Sequence, residues 1–263
     1  LEKKNIMRIL FGLVACLVFS LVGSNSALAS WVYDANATMK ADQMGPNTNS
    51  TFGRFTAGYG STNGAAGSFL GGFTGFATGS HTAAWLGNNN LRGWNIANNA
   101  SVPSVVVNTS NSSVSPGFGI SPIGSGQIVM HGGGISGSAF NPPIFNAVLR
   151  FTAEYTGTHS VNGRWDSLAS GFTRNLVLVN NVIQVDSTES ASVSSSLFNF
   201  SMSLNAGDTI DFVVNDLGDI GSDSTGLTAT ITAVPEPTTL ALFGLGGIGF
   251  AIAKRRRTRK VAS

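Results

Sequence analysis

Apolar side chains in this chain recur at every second residue, and no stretch repeats them every three or four residues between helix caps. Phe198, Phe200, Met202 and Leu204 fall on one side of 197–204, with Asn199, Ser201 and Ser203 on the other. Ile210, Phe212 and Val214 alternate with Asp211 and Val213, and Leu227, Ala229 and Ile231 with Thr228, Thr230 and Thr232. A period of two places alternate residues on opposite faces of an extended strand, one face toward a core and one toward water. The runs 176–179 and 182–185 flank Asn180-Asn181, a pair that tolerates positive φ and reads as a two-residue hairpin turn. Further strands are expected at 52–59, 104–108, 127–131, 147–155 and 158–165, for about nine or ten in all. With no helices between them, such strands pair antiparallel. The expected fold is all-β, an antiparallel β-sandwich of jelly-roll type. Helices are expected only at the two ends, a signal helix and a transmembrane helix.

Those ends are unlike the body. Lys3, Lys4 and Arg8 precede an apolar run over 9–22, and Ala27-Leu28-Ala29 places small residues before Ser30. This is the pattern of a secretory signal peptide cleaved after Ala29, which makes the Sec translocon and signal peptidase partners. The single cysteine, Cys16, lies inside this segment, so the processed chain has no thiol for a disulfide in an oxidising compartment. At the other end, Pro235-Glu236-Pro237 leads into sixteen mostly apolar, uncharged residues, 238–253. As a helix they would reach about 24 Å, slightly less than the ~30 Å hydrocarbon core of a bilayer. Lys254, Arg255, Arg256, Arg257, Arg259 and Lys260 follow at once and keep their side of the span cytoplasmic.

The three parts in this order resemble the PEP-CTERM sorting signal of bacterial surface proteins. The resemblance rests on Pro235, Glu236 and Pro237, the span and the basic cluster. It implies recognition by an exosortase-type transpeptidase, transient anchoring in the inner membrane of a Gram-negative bacterium, and removal of the tail. The delivered protein is then expected at the cell surface or in a biofilm matrix, in association with exopolysaccharide.

The whole chain carries +2, but nine of its fifteen basic residues belong to the two ends. Residues 30–233 hold six basic and eleven acidic groups, a net of −5. A domain of that sign has no electrostatic footprint for nucleic acid. The divisions expected are 1–29 as signal peptide, 30–100 as a Gly/Asn/Ser-rich lead-in with the first strands, 101–233 as the main sandwich, and 234–263 as the sorting tail. Residues 30–233 are expected to form one domain. The lead-in reads either as rim loops or as a loosely ordered approach, its aromatics arguing against full disorder.

The body also resembles, more loosely, the sandwich domains that accompany such tails. The resembling pieces are Trp31-Val32-Tyr33-Asp34, Val129-Met130-His131-Gly132, Arg150-Phe151-Thr152-Ala153, the run 157–163, the run 206–214 and Asp223-Ser224-Thr225. This similarity implies a galactose-binding-like or carbohydrate-module-like sandwich, without a specific ligand. Sugar rings stack on exposed aromatic faces, so Tyr59, Trp85, Trp94 and Trp165, in polar surroundings, are the candidate glycan-binding residues; packing in a core is the competing reading. Asp216, Asp219 and Asp223 sit in one Gly-containing loop and offer an oxygen cage for Ca²⁺, although Asp and Gly are also ordinary turn formers. Apart from that weak candidate, neither a metal nor a cofactor is expected. His131 has no second histidine or nucleophile near it in sequence and reads as structural. A non-catalytic binding protein is therefore expected. The alternatives are a display protein without a ligand and a glycoside hydrolase, for which Glu154 and Asp166 are the carboxylates at the ends of neighbouring strands.

Overall fold

The computed structural model describes residues 30–45, 49–61, 72–77, 81–82, 84–96, 103–133, 145–190, 194–215, 217 and 223–235. The chain divides into two units, residues 31–233 and the termini 1–30 with 234–263. Of the terminal unit only residues 30, 234 and 235 are described. The expected signal helix with Ala27 and Ala29, the residues Glu236 and Pro237, the 238–253 span and the basic cluster lie outside the described residues. Among those described, no helix is long and apolar enough to cross a membrane.

The body is built from strands β1 (Trp31–Asp34), β2 (Thr51–Phe52), β3 (Phe55–Ser61), β4 (Phe73–Gly75), β5 (His81–Thr82), β6 (Leu91–Asn95) and β7 (Ser104–Asn108). After these come β8 (Ile128–His131), β9 (Phe145–Thr152), β10 (Gly157–Ser167), β11 (Phe172–Val179), β12 (Val182–Ser190), β13 (Ser195–Leu204), β14 (Thr209–Asn215) and β15 (Ser224–Pro235). One helix, α1 (Ala35–Met44), follows β1. The first sheet runs β13-β10-β15-β8-β7-β6-β5, with β1 beside β15. The second runs β12-β11-β14-β9-β3-β2, with β4 beside β3. From β8 to β15 every connection except the β11–β12 hairpin crosses from one sheet to the other.

Alternation decides which side chains meet between the sheets. Trp165 of β10 meets Phe212 of β14 with ring centroids 6.3 Å apart. Phe198 of β13 reaches the same Phe212 at 6.0 Å, and Phe52 of β2 stacks on Trp94 of β6 at 5.5 Å. Each pair joins the two sheets, and burying these rings is the main driving force for closing the sandwich. Gly163 in β10 makes room for this packing, since a methyl there would run into the Phe198 ring and the Thr228 carbonyl.

The expected strands from 104 onward are present, β7 with the same bounds. Asn180 and Asn181 turn the β11–β12 hairpin at φ 49° and 66°. Elsewhere the structure corrects the reading. The expected strand 52–59 is a hairpin, broken at Gly53 with φ 57°. Among the described residues before 100, β3 pairs with β9 over seven residues and β6 with β7 over five, so these parts belong to the sheets. Helix α1 was not expected at all. Asp34 caps it by accepting a hydrogen bond from the Ala37 N–H at 2.9 Å. Its buried stripe is Ala35, Met39 and Gln43, too weakly apolar to register as a pattern. Asn36 fastens it to the first sheet, donating to the carbonyls of Leu227 at 2.7 Å and Gly126 at 3.1 Å and accepting from the Ala229 N–H.

Candidate functional site

The four aromatic residues singled out in the sequence do not present a binding face. Trp85 is 1% exposed, and Trp94 and Trp165 are 0% exposed. Trp94 and Trp165 belong to the inter-sheet core, while Trp85 packs with Leu91, Val106 and Ile123 in a second cluster. Tyr59 is half-buried, edge-on to Phe145 at 5.3 Å and tilted against Phe76 at 5.6 Å. Trp94 and Trp165 sit on β6 and β10, and Trp85 lies in the turn before β6, bridged to Asn88; polar sequence neighbours such as Asn88 and Asn95 did not keep the three indoles at the surface.

The remaining tryptophan lies in the open. Trp31 is 47% exposed and stacks with Tyr155, 36% exposed, at 5.8 Å between centroids and 25° between planes. The backbone explains the pair. In β1, Tyr33 points inward onto Phe151 at 5.1 Å. Trp31 is two residues earlier and shares that face, one pleat further along. It pairs in register with Ala233 at the end of the body unit. Tyr155 comes from the turn between β9 and β10. Arg54, from the β2–β3 turn, forms an ion pair with Glu154, next to Tyr155. The Tyr155 hydroxyl donates to the Glu154 carboxylate, which is the main reason its pKa lies above the ordinary phenol value. Burial first, and then the Glu154 charge, raise Tyr33 as well. Both phenols therefore stay protonated as donors at neutral pH. The assembly offers an aromatic face flanked by a carboxylate, a guanidinium and a phenol, the groups that can hold C–H-rich ring faces and hydroxyls together.

The opposite end of the sandwich is polar and sealed. Thr173 of β11 and Thr225 of β15 join the two sheets through a 3.0 Å hydroxyl contact, and Ser196 of β13 donates to Glu189 of β12. Thr173, Asn175, Glu189 and Thr225 are all at most 3% exposed. His131 is buried at the end of β8, with Nδ1 against the Gly132 carbonyl at 2.7 Å. Burial pushes its pKa below the ordinary histidine value. Asp223 is buried just before β15, and Asp216 and Asp219 lie outside the described residues. Among the described residues no three His, Cys, Asp or Glu side chains are grouped so as to hold a metal.

The carboxylates expected for the hydrolase alternative are not a pair. Glu154 lies just before the start of β10, ion-paired with Arg54. Asp166 lies near the end of the same strand, ion-paired with Arg164 at 2.8 Å. Nine strand steps separate Gly157 from Asp166, about 30 Å of extended chain. Hydrolysis of a glycosidic bond needs its two carboxyl groups within roughly 5–10 Å.

A family model described as the PEP-CTERM protein-sorting motif matches residues 233–257. The tail is a PEP-CTERM sorting motif. Such a motif implies a surface protein processed by an exosortase at the membrane. No curated protein matches the chain. Similar solved structures are mainly carbohydrate-binding-module sandwiches. The GH26-CBM35 β-(1,4)-mannanase of Podospora anserina is 18% identical, over 52% of this chain and 26% of that chain, with a TM-score of 0.30. The chain thus spans about a quarter of the mannanase's length. The CBM36-1 domain of a multidomain xylanase from the hindgut metagenome of Trinervitermes trinervoides is 17% identical, over 49% and 94%, with a TM-score of 0.29. A CBM35 from Paenibacillus barcinonensis is 19% identical, over 49% and 89%, with a TM-score of 0.26. At these scores the likeness carries no argument about a ligand, and the candidate site stands on its own geometry.

Proposed function

We propose that this chain is exported through a cleaved signal peptide and sorted by an exosortase to the surface of a Gram-negative cell. There its jelly-roll sandwich binds exopolysaccharide without catalysis. The observation that carries the binding half is the exposed Trp31–Tyr155 stack beside the Arg54–Glu154 pair. A large aromatic pair left in water by a domain that buries its other three tryptophans is an unused contact surface. A sugar ring lying on it covers apolar surface, and the flanking charged groups bond the hydroxyls. No cofactor is needed for this. The sorting half rests on the PEP-CTERM match.

The test of binding is affinity of the exported protein for the host's own polysaccharide, with Trp31→Ala and Tyr155→Ala compared with Trp85→Phe. Loss of one stacking contact of about 1.4 kcal/mol corresponds to about tenfold weaker binding. Equal binding by all variants overturns the reading. Mass spectrometry of the exported protein tests sorting: a C-terminus near Pro237 is expected, and an intact Arg255–Lys260 end contradicts it.

A further inference from the structure

Among the described residues the two main strand orders end at β13, β5, β12 and β2, with β4 also on β3 and β1 on β15, and three of these four ends carry ordinary protection against pairing with another chain. β2 and β5 are two residues long. β12 carries Asp186 and Glu189, and its ladder with β11 is broken by a register shift at Val177/Leu178. The fourth edge, β13, has none of these devices. It is ten residues of Ser-Ser-Leu-Phe-Asn-Phe-Ser-Met-Ser-Leu, without charge, proline or glycine. It pairs with β10 without a register break from Gly157↔Leu204 to Asp166↔Ser195. Among the described residues, no strand pairs with its other side. In an antiparallel ladder every second residue of such a strand turns its N–H and C=O outward, ready for another strand.

We infer that this edge pairs with the same strand of a second copy, antiparallel across a two-fold axis at Phe200. The sequence is self-complementary about that residue. On the core side, Phe198 meets Met202 of the partner, and Phe200 meets its own counterpart. Phe200 and Met202 are only half-buried in a single copy, although both pack against the core. A neighbouring strand covers their remaining apolar surface and continues the sandwich interior across the junction. On the solvent side, exposed Asn199 meets Ser201, and Leu197, 82% exposed, meets Ser203. No like charges oppose each other along the strand. An isologous contact of this kind closes at two copies.

The test uses the chain exported by its host, which carries no native thiol once Cys16 leaves with the signal peptide. Asn199→Cys and Ser201→Cys chains are produced together and separately. The register predicts a mixed disulfide between the two variants in at least tenfold excess over either self-linked product. Sedimentation of the exported wild type is expected to show a dimer. Asn199→Lys with Ser201→Lys sets lysines against each other across the junction and is expected to leave a folded monomer whose melting temperature no longer depends on protein concentration. A wild type that stays monomeric throughout a dilution series overturns the inference. So does a dimer that survives the double lysine variant, or one that gives no mixed disulfide.

Discussion

The two ends of this sandwich solve opposite problems. At one, Thr173, Asn175, Glu189 and Thr225 bring hydroxyl, amide and carboxyl groups between the sheets and shut them away from water, with half-buried Ser196 donating to Glu189. At the other, Trp31 and Tyr155 hold two aromatic rings out in water. A residue that behaves as its polarity dictates says little, whereas buried polar groups and exposed rings need a reason. The sealed end has a structural one: its hydroxyls tie the sheets together at the point where strand pairing stops. The open end has no such internal account. Its rings add little to the core, and the glycan contact proposed above is placed on them.

The comparison breaks most severely at Trp165, which lies near the sealed end and packs against Phe198 and Phe212. Trp165→Ala leaves a large cavity and is expected to cost about 3–5 kcal/mol in urea unfolding. A smaller loss is expected from Ser196→Ala. It removes the hydroxyl donated to the buried Glu189 carboxylate, at a cost of about 1–3 kcal/mol. If either change proves neutral, the sealed end is looser than its packing indicates.

Next comes pH. Burial holds the folded pKa of His131 below its unfolded value, so the folded chain keeps the ring neutral. The unfolded chain takes up a proton near pH 6.5. Stability is therefore whole above that pH and falls as the pH drops through it, because the unfolded state then binds more protons. His81, lowered by burial and then by Arg92, acts in the same direction. Thermal melts from about pH 7.5 to about 5.5 should fall by at most about 1.4 kcal/mol per pH unit for each group. His131→Asn should flatten that slope. Asp186 works in a lower window. Its hydrogen bond to Arg174 depresses its pKa, so its contribution is present above the ordinary carboxylate range and is lost only as the pH falls below it.

Much of the sandwich was legible because period-two patterning survives wherever one face of a strand is buried and the other wet. The runs 198–204 and 227–231 showed this, and so did the Asn180-Asn181 turn. What escaped depends on distant partners. Helix α1 has only Ala35, Met39 and Gln43 on its inner face, and its hold comes from Asn36 reaching the carbonyls of Gly126 and Leu227, 90 and 191 residues away in sequence. The strands before residue 100 are short and are stabilised by β7 and β9 rather than by their own composition. The burial of the candidate tryptophans escaped the sequence for a related reason. Trp85 and Trp94 have polar neighbours in sequence, which the fold turns to other faces. Trp31 has Val32 and Tyr33 beside it, and no strand is expected there from the sequence. It is part of one, and that strand extends a pleat beyond the core; only the pairing of Trp31 with Ala233 reveals this.

The smallest effect on stability, and the most discriminating, is expected at the open end. Trp31→Ala removes a ring that is 47% exposed and stacks mainly on another exposed ring. Its cost should stay within about 1 kcal/mol, a melting shift of about 2–4 °C for a domain of this size. Arg54→Met breaks a partly exposed ion pair with Glu154 and should cost no more than about 1 kcal/mol. The same two changes should weaken polysaccharide binding, Trp31→Ala about tenfold and Arg54→Met less. A domain that loses binding but not stability at Trp31, and stability but not binding at Ser196, has divided its two ends between recognition and structure. If Trp31→Ala instead unfolds the body, the exposed stack is a clasp that holds β1 to β15. The contrast between the ends would then be one of packing alone.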